Sequence, residues 1–170
     1  MSKNINDLPA DLAKHQKALA KYIRNDAPRI VGKMGVDHFK ENFDKEGFVN
    51  NGLQKWPERK TDTGRKTLTG ETRELQDSID YKTDIAKTSW GTDKVYGSIH
   101  NRGGKTKAHT IRPRAKKGLK FMGKGGAVIR KKVNHPGSNI PQRQFIGHSK
   151  ELIEKVNQRI EKDVTKILNK

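Results

Sequence analysis

The chain has 170 residues, with 37 Lys or Arg against 19 Asp or Glu, a formal net charge of +18 and only 31% hydrophobic residues. That length suits one ordinary domain, and the small apolar share predicts a modest core with some burial supplied by neighbouring copies. With no cysteine there is no disulfide framework and no thiolate metal site. No apolar run approaches the ~18 residues of a bilayer span, and Met1-Ser2-Lys3-Asn4-Ile5-Asn6-Asp7 lacks the apolar stretch of a secretion signal. A soluble protein made in a reducing cytoplasm, with no membrane partner, is expected.

Residues 8–46 read as helical. Leu8, Leu12, His15, Leu19 and Tyr22 or Ile23 recur at steps of four and three. A second helical stretch follows Asp26-Ala27-Pro28, with Ile30, Val31, Met34, Phe39 and Phe43 as buried positions. Asp26 as cap and Pro28 in the first turn allow two helices or one kinked helix, while Gly32 and Gly35 weaken the second stretch. Residues 47–70, rich in Gly, Asn, Lys, Thr and Asp around Trp56-Pro57, predict a long exposed loop.

Residues 71–148 read as the sheet and its basic hairpin. A helical turn over residues 71–76 leads into a strand with Ile79 and Tyr81 on one face, partnered by residues 86–91. Residues 95–101 suggest a buried turn of helix closed by Arg102-Gly103-Gly104. Leu119-Lys120-Phe121 and residues 129–133 look like strands joined by a turn at Gly123-Lys124-Gly125-Gly126. Ser149 is a good N-cap for a terminal helix over residues 149–169, in which Ile153, Val156, Ile160, Val164 and Ile167 form an apolar stripe. The fold class expected is α+β: an antiparallel sheet from about residue 79 to residue 133 with a projecting basic hairpin, packed against N- and C-terminal helices, in a single domain of residues 1–170.

Charge is the most uneven property of the chain. Residues 102–148 carry 13 Lys or Arg and no Asp or Glu, which points to an anionic partner or an assembly surface. The candidate contacts to DNA or to an acidic partner are Lys105, Lys107, Arg112, Arg114, Lys116, Lys117, Lys120, Lys124, Arg130, Lys131 and Lys132. Phe121 and Phe145, the aromatics of this stretch, read as core residues, which argues against stacking on a single strand.

Catalytic patterns are missing from the sequence. Gly118-Leu119-Lys120-Phe121-Met122-Gly123-Lys124 starts like a phosphate-binding loop, but Gly125 stands where Ser or Thr would hold Mg²⁺, so a hairpin turn is the better account. The six histidines show no metal-binding spacing; His100 reads as a half-buried hydrogen-bonding residue and His135-Pro136-Gly137 as a turn. There is no G-x-S-x-G elbow, and Glu71/Glu74 and Asp77/Asp80 lie on solvated segments. No catalytic, metal-binding or cofactor-binding residue is assigned, and no cofactor is expected. Two other readings stay open: a stand-alone nucleic-acid-binding protein, and a nuclease whose metal ligands converge from distant positions.

Four segments, in order, resemble the tailed-phage virion morphogenesis (tail completion) family. Phe43 and Gly47 followed by Gly52-Leu53-Gln54-Lys55-Trp56 are similar to its Phe, then Gly-x-x-x-Trp signature. Thr72-Arg73-Glu74-Leu75-Gln76-Asp77-Ser78-Ile79 resembles its Thr-Gly-x-Leu-x-x-Ser-Ile stretch, with Arg73 where a glycine is usual. Trp90-Gly91-Thr92 leading to Tyr96-Gly97-Ser98-Ile99-His100-Asn101-Arg102-Gly103-Gly104 resembles its Val-Gly-Ser and Tyr-Ala-x-Ile-His-x-Gly-Gly segments. Ile140-Pro141-Gln142-Arg143-Gln144-Phe145-Ile146-Gly147 is similar to its Pro-Ala-Arg-Pro-Phe-Leu-Gly motif, with Gln144 in place of the second proline. His109-Thr110-Ile111-Arg112-Pro113, Leu119-Lys120-Phe121 and Val133-Asn134-His135-Pro136-Gly137 resemble the hairpin insertion of a related family of phage neck and tail-joining proteins.

The resemblance implies a structural, non-enzymatic role in completing the tail or joining it to the head. It implies a homo-oligomeric ring, a hexamer by analogy with the family, on the head-proximal end of the tail tube, made in the bacterial cytoplasm and carried in the virion. Expected partners are the tail tube, neck or head-completion proteins and DNA in transit. Trp56, Ile140, Arg143 and Phe145 are the expected subunit contacts.

Overall fold

The computed structural model describes residues 8–59, 64–114, 118–123 and 125–169. Its N-terminal part is one continuous helical run: α1 (Leu8–Lys21) passes through a single widened turn, Tyr22–Asp26, into α2 (Ala27–Asp44). Pro28 has no N–H to donate to the preceding turn. The Ala27 N–H reaches back to the Tyr22 carbonyl, one residue further than in an α-helix. Asp26 keeps helical angles and makes no side-chain capping bond, so the expected cap is not formed.

The glycines that weaken the helical pattern are what let a hairpin lie on α2. β3 (Ile79–Asp84) and β4 (Lys87–Thr92) pair antiparallel, with Tyr81 opposite Trp90. A Cβ on Gly32 would overlap the Tyr81 ring, and one on Gly35 the Trp90 indole. The close approach is fastened by hydrogen bonds: Trp90 Nε1 donates to the Gly32 carbonyl at 2.9 Å, and Thr88 Oγ1 donates to the Pro28 carbonyl at 2.8 Å.

Phe39 and Phe43 on α2 begin the core, which continues through Phe48, Trp56, Leu75, Ile79, Phe145 and Leu152. Phe43 touches Trp56 edge-on and lies tilted against Phe145, with ring centroids 5.4 and 5.1 Å apart. The expected exposed loop therefore needs correcting at its start. Residues 47–55 form a small hairpin, β1 (Gly47–Val49) and β2 (Leu53–Lys55), with β1 wholly buried and Trp56 in the core. The sequence conceals this, because β1 is buried along its whole length and β2 exposed along its whole length, so neither shows the alternation of a half-buried strand.

Among the described residues the strands do not form a single central sheet but make five separate two-stranded antiparallel pairs, since α2 takes one face of β3–β4 and the chain then leaves through α4 (Gly97–Arg102). α4 sits where a helical turn is expected, but Val95 just before it is 96% exposed. The remaining pairs follow one another along a ribbon: β5 (Gly104–Lys105) with β10 (Asn139–Ile140), β6 (His109–Ile111) with β9 (Val133–His135), and β7 (Leu119–Gly123) with β8 (Gly126–Arg130). The turn residue Lys124 lies outside the described residues.

α3 (Glu74–Asp77) opens on Arg73, which stands at φ 54°, in the left-handed region that glycine occupies without strain. Arg73 is held there by Asp44 Oδ1 at 2.6 Å and Gln76 Oε1 at 3.0 Å. At the C-terminus, α5 (Lys150–Leu168) is capped as expected: Ser149 Oγ accepts the Leu152 N–H at 3.2 Å. Leu152 is the buried anchor of α5 while Ile153 is exposed, and Val156, Ile160, Val164 and Ile167 are half-buried. In the widened turn Tyr22 is buried and donates to Asp163 of α5 at 3.2 Å, whereas Ile23 beside it and Leu12 on α1 stay exposed.

Gly35→Ala should lower the midpoint of denaturant unfolding. Overpacking against Trp90 costs about 1–3 kcal/mol, more than the ~1 kcal/mol gained in helix propensity. Lys33→Ala, at an exposed position of the same helix, should leave the midpoint nearly unchanged.

Candidate assembly surface

The Ile140–Gly147 motif is an extended segment crossing the core, with no strand partner beyond the short β10 pairing. The Arg143 N–H donates to the His100 carbonyl at 2.8 Å, and other backbone polar groups of the segment are met by side chains. Asn101, at the end of α4, supplies three bonds: Oδ1 accepts the Phe145 and Ile146 N–H groups at 2.7 and 2.9 Å, and Nδ2 donates to the Ile146 carbonyl at 2.9 Å. Asn42, fully buried on α2, donates to the Phe145 carbonyl at 3.0 Å and accepts the Val49 N–H at 3.1 Å. Trp56 Nε1 donates to the Gln144 carbonyl at 2.7 Å, and Ser149 Oγ donates to the Val49 carbonyl at 2.8 Å.

Three of the four residues expected to touch neighbouring subunits are thus occupied within their own chain. Phe145 is 1% exposed and Trp56 is buried beside it. The Arg143 guanidinium, also buried, donates to the Pro57 and Glu58 carbonyls at 2.9 and 3.0 Å; burial lowers its pKa from the usual arginine range. Ile140 is half-buried on β10. The conformation of an irregular buried segment has to be specified by contacts, and these residues supply them. Nothing in the local sequence marks Asn42 for this task, whereas Asn101 lies inside the segment that carries the family resemblance.

The ribbon that leaves this junction carries the cations. Lys105, Lys107, Arg112, Arg114, Lys120, Arg130, Lys131 and Lys132 are all exposed, and none is ion-paired among the described residues. Lys116, Lys117 and Lys124 lie outside the described residues. Within the ribbon His109 stacks on His135 across the β6–β9 pair at 5.2 Å between centroids. His135 Nδ1 accepts the Gly137 N–H at 3.0 Å, making the expected turn.

The tip of the ribbon departs from expectation. Phe121 is 43% exposed, not buried, and Met122 and Ile129 are 80% and 70% exposed, with Val128 also exposed. Register places Phe121 opposite Val128 and Met122 opposite Ala127, so apolar side chains stand on both faces. The apolar residues themselves are visible in the sequence, but their pattern cannot say whether a third layer covers them.

One buried and one half-buried imidazole bear on pH. Burial pushes the His38 pKa below the usual histidine value, and burial followed by Arg143 does the same for His100. Among the described residues no cluster of three or more His, Asp or Glu could hold a metal ion, and no helix is long and apolar enough to cross a membrane.

A small α+β protein whose exposed chemistry is concentrated in one cationic, apolar-tipped ribbon is the class these features define. The chain belongs to the phage virion morphogenesis family, whose model matches residues 49–165. That membership gives it a structural role in virion assembly. Comparisons with curated proteins and with solved structures gave no significant match.

Asn101→Ala should cost about 2–4 kcal/mol in unfolding free energy, because it strands two N–H groups and a carbonyl away from water. Asn101→Asp, which keeps the acceptor, should cost less. Stability should also be pH-dependent. For His38 and His100 the unfolded chain binds protons first, so their contribution is intact above about pH 6.5 and is lost as pH falls through the lower folded values. Glu46, held down mainly by the Thr67 N–H, and Glu151, by Lys155, add a second loss below about pH 4.5. Denaturant midpoints across this range, with His38→Phe flattening the upper part, check the assignment.

Proposed function

We propose that this protein completes the phage tail or joins it to the head, acting without a catalytic step as a ring of copies on the head-proximal end of the tail tube. Family membership carries the reading. The count of six copies comes by analogy with the family. In this role the protein resides in the tail or neck of the virion, against the tail tube and the neck or head-completion proteins.

The acid-free ribbon supports an electrostatic share in that work. Eight exposed cations in the described part of the ribbon would meet DNA threading the neck or acidic faces of adjoining virion proteins. Tight binding of transiting DNA would hinder its ejection, which favours protein faces. The same cations support the second reading, a stand-alone nucleic-acid-binding protein, whose affinity would fall steeply with salt.

Infected cells lacking this protein should accumulate filled heads and separate tails in electron micrographs, and purified protein added to that lysate should restore joined particles. Complete virions formed without it would refute the proposal. Replacing Lys120, Arg130, Lys131 and Lys132 with Gln should weaken joining and flatten its salt dependence; unchanged joining with an unchanged salt response would remove the ribbon from the mechanism. Salt-sensitive DNA binding by a monomer, with joining unaffected by loss of the protein, would establish the second reading.

A further inference from the structure

We infer that the apolar tip of the ribbon of one copy seats in the groove between α2 and the β3–β4 hairpin of the next copy. This rests on the ring reading and names the contact that would build the ring.

The tip needs a partner. An isolated two-stranded hairpin is marginal in water, and this one exposes Phe121, Met122, Val128 and Ile129. A receptor must therefore offer apolar surface. Lys120 and Arg130, which flank these residues on β7 and β8, require carboxylates at its rim.

The groove between α2 and β3–β4 has both properties. It encloses about 1130 Å³, room for several side chains. Val36, Ile79, Tyr81 and Trp90 contribute apolar surface to its lining. Five carboxylates and four lysines border it, against 19 acidic and 37 basic residues in the whole chain, so its ratio of acidic to basic residues is more than twice that of the chain. Asp37, Asp77 and Asp93 make no ion pair among the described residues.

The two surfaces differ, so the contact is head-to-tail. Such a contact propagates from copy to copy and closes when its rotation divides a full turn. A tip-to-tip contact would stop at two copies and would bring the cationic flanks together.

The absence of native cysteine allows a direct test with the full-length chain. Met122→Cys and Asp93→Cys in one chain should give, under mild oxidation, a ladder of disulfide-linked species on tails or in solution, whereas equal parts of the two single variants should give linked dimers. Asp80→Lys with Asp93→Lys should weaken self-association about tenfold or more, and Lys120→Glu with Arg130→Glu in the same chain should recover it. Circular dichroism on each variant confirms folding, which these exposed positions should not disturb. Oligomers on the tail without a ladder, and indifferent to the charge reversals, would overturn this contact and leave the ring standing. Absence of any oligomer with tails present would overturn the ring itself and the contact with it. If Phe121→Ser and Met122→Ser abolished DNA retention while oligomers persisted, the tip would belong to DNA and the inference would fall.

Discussion

Every large part of this protein is tied to one extended stretch, residues 142–149, that runs through the core without a strand beside it. Burying an unpaired peptide group costs as much as several favourable contacts return. Asn42 from α2, Trp56 after β2 and Asn101 from α4 meet those groups one by one, and Ser149, at the end of the stretch, donates to the Val49 carbonyl of β1. Because these bonds join the stretch to separate elements, closing this clamp brings together the N-terminal helix, the first hairpin, the root of the ribbon and the terminal helix. Phe145, at its centre, is where the aromatic core and the polar clamp coincide.

The rest of the architecture follows from how little apolar surface the chain has. Among the described residues there are five narrow pairs instead of one broad sheet, and they differ in what covers them. β3–β4 gains its support from α2 through the gaps left by Gly32 and Gly35. The β7–β8 pair has no comparable cover, and its apolar residues remain in water. A tightly specified body and an exposed charged ribbon suit a component of a larger assembly, in which burial is completed by partners.

The local periodicities in the sequence were sufficient for the terminal helices, the Ser149 cap, and the Ile79 strand and its partner; in the ribbon they marked β7 but put its partner at residues 129–133, where β8 is Gly126–Arg130, and left β5, β6, β9 and β10 unmarked. They also located the family-like segments and the acid-free stretch. Each rests on interactions within a few residues, or on counting charge. They were insufficient where distance in sequence mattered. Trp56, Arg143 and Phe145 stood as subunit contacts on the family resemblance; in the fold they are held by their own chain, and Phe145 lies in the core as its residue type also suggested. Phe121 read as core because an aromatic between strand-forming residues usually is.

The sequence by itself determined that this is an α+β chain with a strongly cationic segment, residues 102–148, just before its terminal helix, and that it carries the ordered motifs of its family. Only the tertiary structure decided which conspicuous residues are spent on folding and which remain for partners. Burial is a property of what lies opposite a side chain, and what lies opposite Trp56 or Phe145 comes from residues far away in the chain. For Phe121 and Met122 the chain provides only cross-strand neighbours and no covering layer among the described residues, which turns two apolar residues in a basic ribbon into a part of the surface that needs a partner.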